Sequence, residues 1–398
     1  MKQLDTKQAD KMMPLLQNGF RLFFLSAIVF AIVTMVSWTS QLYSHWQAPL
    51  ALVSHTQWHA HEMIFGYAIA VISGFLLTAV QNWTGQITKN GKGLLLIFLF
   101  WFVARCLALY PYPQTIIFIL ISSVLFYVFL LLAILPPILK TKNNKQWGII
   151  SKVILLGGAD ILFLSIASGW ISSEWASPVL LFSVYTVVGL ILVMGSRVIP
   201  GFTKNGIEHS ENIYDWPILV WLSMVLYLVF VVSDLMHWQL ALLISGIFLA
   251  ILNAIRLWGW HNREIWKKPL VWVLHVAIGF ITLGILMRAL NGSLQLLPFL
   301  SLHMMTYGGI ALITSGMMAR VILGHTGRSV FEPPEGLAWV FILLVLGALV
   351  RTVAPALWMD DYFLFIMISQ FMWIGAFTLM LGFYFKALVS KRLDGRFG

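Results

Sequence analysis

Charge is scarce in this sequence and cysteine is almost absent. Of its 398 residues only 10% are Asp, Glu, Lys or Arg, and 60% are hydrophobic. A water-soluble domain carries about 25% charged residues, so a soluble globular fold is excluded and the chain reads as an integral membrane protein. Its mean hydropathy, +0.88, agrees. The single cysteine, Cys106, lies inside an apolar run. It excludes an internal disulfide and any CxxC metal site, which leaves histidine, methionine and carboxylates as metal ligands. Acidic residues inside the apolar runs are few, chiefly Asp160 and Asp234, too sparse for a proton-pumping channel. The stretch after Arg21 is too long and continuous for a cleavable signal and reads as a first span.

What is present is a succession of apolar runs, each near the length of about 20 residues that crosses a bilayer as a helix. Hydropathy gives spans near 20–42, 58–80, 93–109, 114–135, 149–169, 176–199, 216–236, 238–258, 270–290, 299–323, 337–357 and 362–388. The connections are short and leave no room for a soluble domain, so residues 1–398 form one transmembrane domain of twelve helices. With the N-terminus in the cytoplasm, all but three of the 25 basic residues fall on the cytoplasmic side, from Lys2, Lys7 and Lys11 to Arg396. The positive-inside rule then puts both termini in the cytoplasm. The formal net charge of +10 is accounted for by this topology, and nucleic acid is not needed to explain it.

The three exceptions are Arg105, Arg288 and Arg351, each placed near the outer end of its span. Each alone reads as a side chain snorkelling to lipid headgroups. Together they suggest a shared anionic partner, for which haem propionates are one candidate.

Ten histidines are present. His45, His55, His209, His237 and His261 fall in loops or turns and read as solvated. His59, His61 and His303 enter the second and tenth spans from outside at similar depth, while His275 and His325 lie toward the inside. A lone histidine in a span is more often hydrogen-bonded to a neighbouring helix. Three at one level favour a metal or haem, because imidazole is a common ligand of iron and copper and a standard axial haem anchor. On regular helical phase His59 shares its face with Met63, Gly66, Ala70 and Ser73, a small-residue stripe that admits a flat ring. That makes His59 the first choice with His303, and leaves His61 for a second metal. Met63 is a soft ligand candidate, and Glu62 is a candidate to orient a ligand or to bind a proton. His275 and His325 are candidates for a second cofactor, with Arg197 and Arg320 either serving its propionates or simply marking the cytoplasmic face.

RVIPGFT at 197–203 recurs as RVILGHT at 320–326, and TAVQNWT closes the second span at 78–84. The three lie four spans apart, which suggests three four-helix repeats, 14–140, 141–265 and 266–398. Repeats in membrane proteins commonly place a site at their interface.

WHAHEMIFGYAIAVISGFLLTAVQNWTG at 58–85 and HMMTYGGIALITSGMMARVILGHTGR at 303–328 resemble the two signature stretches of the NnrS family. RVIPGFTKNGI at 197–207, LHVAIGF at 274–280 and GFRLFF at 19–24 also fit, so the resemblance covers nearly the whole chain. It implies a bacterial cytoplasmic-membrane protein of about twelve spans containing haem and copper and associated with nitric oxide and nitrosative stress. Carried onto this chain, it supports His59, His61, His275, His303 and His325 as metal-ligand candidates. The three-by-four arrangement is also similar to the catalytic subunit of haem–copper oxidases and nitric oxide reductases, where helices two and ten hold a haem. The departure is that the sixth span has no histidine and the seventh has no histidine pair, so the three-histidine copper site of those enzymes is missing.

The expectation is therefore a haem-binding and copper-binding membrane protein that protects against nitric oxide, with His59 and His303 as haem ligands and Arg105, Arg288 and Arg351 at the propionates. Lipid, nitric oxide and an unidentified electron donor are the expected partners. Whether the protein catalyses, and how it oligomerises, stay open. The competing reading is a multi-pass transporter of a metal or small substrate that uses the same histidines.

Overall fold

The computed structural model describes residues 12–43, 53–110, 112–210, 212–294 and 297–396. Lys2, Lys7, Lys11 and His45 lie outside the described residues. Among those described there are helices and no strands, and twelve helices are long and apolar enough to cross a membrane. They are α1 (Gly19–Tyr43), α2 (His55–Thr84), α3 (Gly91–Ala108), α4 (Ile116–Lys140), α5 (Asn144–Ala167), α6 (Ser173–Gly206), α7 (Pro217–Leu235), α8 (Gln239–Trp260), α9 (Pro269–Gly292), α10 (Pro298–His325), α11 (Leu337–Leu357) and α12 (Met359–Val389). Each expected span is present. Helices are the open-chain solution in lipid because they satisfy every backbone N–H and C=O internally.

Two compact units divide the chain: Met1–Ser183 with Val321–Ser329 and Met380–Gly398, and Val184–Arg320 with Val330–Leu379. In the first unit, α1 and α2 run antiparallel and close together. Glycines on one helix receive large side chains of the other: Gly66 faces Phe30, Gly74 faces Phe23 and Phe24, and Gly19 faces Leu77. Without a hydrophobic driving force between helices in lipid, this close packing of small against large residues is what associates them. The buried Arg21 closes the end of α12 by donating to the carbonyls of Leu388 and Ser390 at 2.9 and 2.7 Å. A guanidinium there satisfies orphan C-terminal carbonyls and opposes the negative end of the helix dipole.

The second unit repeats the device between α9 and α10. Gly308 and Gly309 receive Phe280 and Ile281, Gly316 receives Val273 and Leu274, and Gly284 lies against Met305. A Cβ on Gly284 would stand 3.0 Å from both the Met305 nitrogen and the Ser301 carbonyl oxygen, which are backbone atoms that cannot swing aside. Gly284→Ala is expected to destabilise the protein by about 1–3 kcal/mol through overpacking. Thermal unfolding in detergent checks this, and an unchanged melting point would mean that α9 and α10 are not packed this closely.

The regular α geometry is broken in the same place in α2 and α10. Glu62–Ala68 and Met304–Ala311 are π-helical. One constant offset carries His61 onto His303, Met63 onto Met305, Gly66 onto Gly308, Ser73 onto Ser315, Gly74 onto Gly316, Thr84 onto Thr326 and Gly85 onto Gly327. Both terminal glycines adopt positive φ, 64° and 73°. Each π-helix thus begins immediately after a histidine, and helical irregularities of this kind occur frequently at functional sites.

Candidate functional site

The polar centre of the first unit is built on α2, α3 and α5. His61 is the last residue before the π-helix and is completely buried. Its Nδ1 lies 2.8 Å from Glu62 Oε1, and its Nε2 lies 2.8 Å from Asp160 Oδ1 on α5. Arg105 on α3 donates from Nη1 to both Glu62 oxygens at 3.0 Å. All four side chains are at most 3% exposed. Two short N···O contacts on one imidazole require two bridging protons, either on an imidazolium or with one carboxyl protonated. In both cases the quartet balances to zero charge, which is the condition for holding such groups in a low-dielectric interior.

Surrounding aromatics enclose it. The His61 ring stacks on Phe163 at 4.7 Å and meets Phe65 at 5.0 Å. Two donors buried with the cluster, Arg105 Nε and the Tyr127 hydroxyl, have no hydrogen-bond partner among the described residues. The Trp101 indole N–H donates to Gly66 O at 3.1 Å, so part of the π-helical backbone is satisfied from α3.

The second unit has its own ion pair. Asp234 near the end of α7 accepts from Arg288 Nε at 3.0 and 3.1 Å and from the Tyr185 hydroxyl at 2.7 Å. Arg105 and Arg288, expected from the sequence to meet an external anion, are thus engaged by carboxylates of the protein. Arg351 lies over the rings of Phe299 and Tyr362, 5.7 and 5.5 Å from their centroids.

The remaining histidines are dispersed. His59, in the first unit, is half-buried and stacks nearly parallel on Trp38, with centroids 4.6 Å apart and planes 15° apart. His303 belongs to the second unit. Its Nδ1 donates to the Phe299 carbonyl at 2.8 Å, which assigns the proton to Nδ1 and makes Nε2 the ligand-type nitrogen. His275 on α9 contacts the Val271 carbonyl at 3.1 Å through Nδ1, and the Trp260 carbonyl at 3.2 Å and Thr203 Oγ1 at 3.5 Å through Nε2. His325 is half-buried against Phe20, with ring centroids 5.6 Å apart. Met63 is partly buried within the π-helix and Arg197 is exposed. Arg320 stacks on Phe202 at 3.9 Å. Among the described residues no three His, Cys, Asp or Glu side chains are arranged to hold one metal ion.

The chain matches the family described as "NnrS protein" over residues 14–392. It belongs to the NnrS family. No curated protein matches it.

This NnrS-family protein is a multi-pass membrane protein with a buried polar cluster built around His61 and Glu62 of α2. The sequence displays Asp160, Asp234 and Glu62 but does not join them to His61, Arg288 and Arg105. The signal that could have done so is charge balance, since a buried carboxylate in a span needs a cation or a proton. Regular helical phase sets Met63, Gly66, Ala70 and Ser73 on the face of His59, an assignment that assumes an unbroken α-helix. A residue advances about 100° around an α-helix, and the π-helix from Glu62 changes the advance for every residue beyond it. His61, and not His59, holds the position equivalent to His303.

Proposed function

We propose that this protein is a haem-binding and copper-binding member of the NnrS family, seated in the bacterial cytoplasmic membrane with both termini inside, that protects against nitric oxide. Family membership over nearly the whole chain supports the link to nitric oxide at family level. The observation that carries the haem assignment is His303, whose Nδ1–H is fixed by the Phe299 carbonyl at the start of the second π-helix. Histidines that hold a metal commonly have this arrangement, with the other ring N–H held by a backbone or carboxylate acceptor and the tautomer thereby set. Arg351, over the ring of the same Phe299, is the residue to hold a propionate.

A haem held by His303 would supply a redox-active iron able to bind nitric oxide. His59, stacked on Trp38, is a second candidate ligand. His61 does not fit a metal in this arrangement, because both its nitrogens face carboxylates. Copper is carried on family grounds alone. The nitric oxide reading implies an electron donor, whose identity nothing in the fold assigns.

The transporter reading draws instead on the quartet around His61, because a buried ionisable cluster in a membrane marks an ion or proton path. An absorbance spectrum of the detergent-purified protein, oxidised and dithionite-reduced, with pyridine haemochrome and copper quantification, separates the two. The expected result is a Soret band with about one or more haems per chain. A flat spectrum from cells grown with ample iron and haem would overturn the haem assignment and favour transport.

A further inference from the structure

A cavity of about 280 Å³ opens in the second unit where α9 and α11 begin. Lys267, Lys268 and Arg320 line it against a single carboxylate, that of Glu335. The Arg320 guanidinium is half-buried and stacks on the Phe202 ring at 3.9 Å. Stacking of this kind orients a guanidinium while leaving its in-plane N–H fork open for an oxyanion.

The backbone points the same way. Both helices start at the cavity wall, α9 at Pro269 and α11 just after Gly336. Neither has an acidic residue in its first turn, and Gly336 offers no side-chain cap. Most first-turn N–H groups already have acceptors: Leu337 N donates to Pro334 O, Trp339 N to Gly336 O and Val271 N to Lys268 O at 3.1, 3.0 and 2.9 Å, so the helix ends contribute only their partial positive charge. Here they add to three cations in a half-open recess, so the charge excess does not depend on the helix ends. The cavity is large for a bare phosphate. Its rim carries Phe331, which is 59% exposed, an apolar side chain suited to lipid contact.

We propose that this recess binds a phosphate group through Lys267, Lys268 and Arg320, and that the group is the headgroup phosphate of an anionic phospholipid. The size of the cavity and the exposed Phe331 favour a lipid over free phosphate. The charge asymmetry of the loops assigns the site to the cytoplasmic leaflet, whose anionic lipids attract basic residues. This site is separate from His61 and His303 and does not depend on haem.

The test is native mass spectrometry of the whole detergent-purified protein, titrated with phosphatidylglycerol or with phosphatidylcholine. A parallel arm competes with inorganic phosphate. Wild type is expected to retain phosphatidylglycerol in preference to phosphatidylcholine. Each basic residue lost is expected to weaken binding about five-fold, so the variant K267Q/K268Q/R320Q should lose on the order of a hundred-fold. K267Q/K268Q, which leaves Arg320 stacked in place, guards against misfolding and should lose about twenty-five-fold on the same scale. A K89Q/K92Q control, altered in the first unit, should bind as wild type. Equal retention of the two lipids, or undiminished phosphatidylglycerol binding in both recess variants, would overturn the proposal. Displacement of the lipid by millimolar phosphate alone would overturn the lipid assignment and make free phosphate the ligand.

Discussion

Arg105→Leu is expected to destabilise the protein by about 3–5 kcal/mol, the cost of leaving a buried charge without its partner. The quartet explains why. Removing the guanidinium leaves Glu62 and Asp160 on either side of one imidazole, inside a region that is at most 3% exposed. One of the carboxyls must then take a proton or the cluster must open to water. Glu62→Leu alone creates the opposite fault, an arginine with no carboxylate. The double variant Arg105→Leu/Glu62→Leu removes both charges and leaves His61 with Asp160, again balanced. It is expected to recover most of the loss, since replacing a whole buried pair by apolar residues is often neutral or stabilising. Unfolding of the four proteins in one detergent gives the coupling energy directly. Additive losses would show that Arg105 and Glu62 do not act as a pair.

The same balance marks how far the sequence can be read. All twelve spans are legible because bilayer thickness fixes their length and the loops between them are short. α2 begins earlier than hydropathy places it. The turn from His55 is polar and is held by a capping box between Ser54 and Gln57, which an apolar window cannot see. The π-helices are not legible, because their register comes from packing. Phe30 over Gly66 and Phe280 over Gly308 hold the two irregular segments against α1 and α9. Once that register is lost, 3.6 residues per turn no longer tells which residues beyond Glu62 share a face with His59.

The arginines show a second limit. Arg105 and Arg288 stand out in the sequence as cations that need an anion. Composition offers Glu62, Asp160 and Asp234 as acids within the spans, and the interior uses all three. Which acid meets which arginine depends on helix neighbours, and no periodicity encodes that. Arg288 with Asp234 joins α9 to α7, and Arg105 with Glu62 joins α3 to α2.

His303→Ala is expected to lower haem content per chain more than any other single substitution in the second unit. The ring is fixed by the Phe299 carbonyl one turn earlier, and the same phenylalanine lies under Arg351. On the proposed reading, ligand, tautomer and a cation for a propionate would come together on one turn of α10 and the facing part of α11. Changes to such outer partners alone cost about 10–100-fold in metal affinity. Arg351→Leu should therefore weaken haem retention without abolishing it, while the alanine at 303 would remove the proposed bond itself. His61→Phe is the decisive contrast. It breaks the quartet and lowers stability, but with its nitrogens spent on Glu62 and Asp160 it should leave the haem ratio of the surviving folded protein unchanged. To separate a lost ligand from a distorted helix, His303→Gly is grown and purified with added imidazole, which can occupy the vacated position. Recovery of the Soret band with imidazole would identify His303 as a ligand. Haem content that stays at the wild-type ratio in His303→Ala, or that falls only in His61→Phe, would transfer the site to the first unit and refute His303 as the haem ligand.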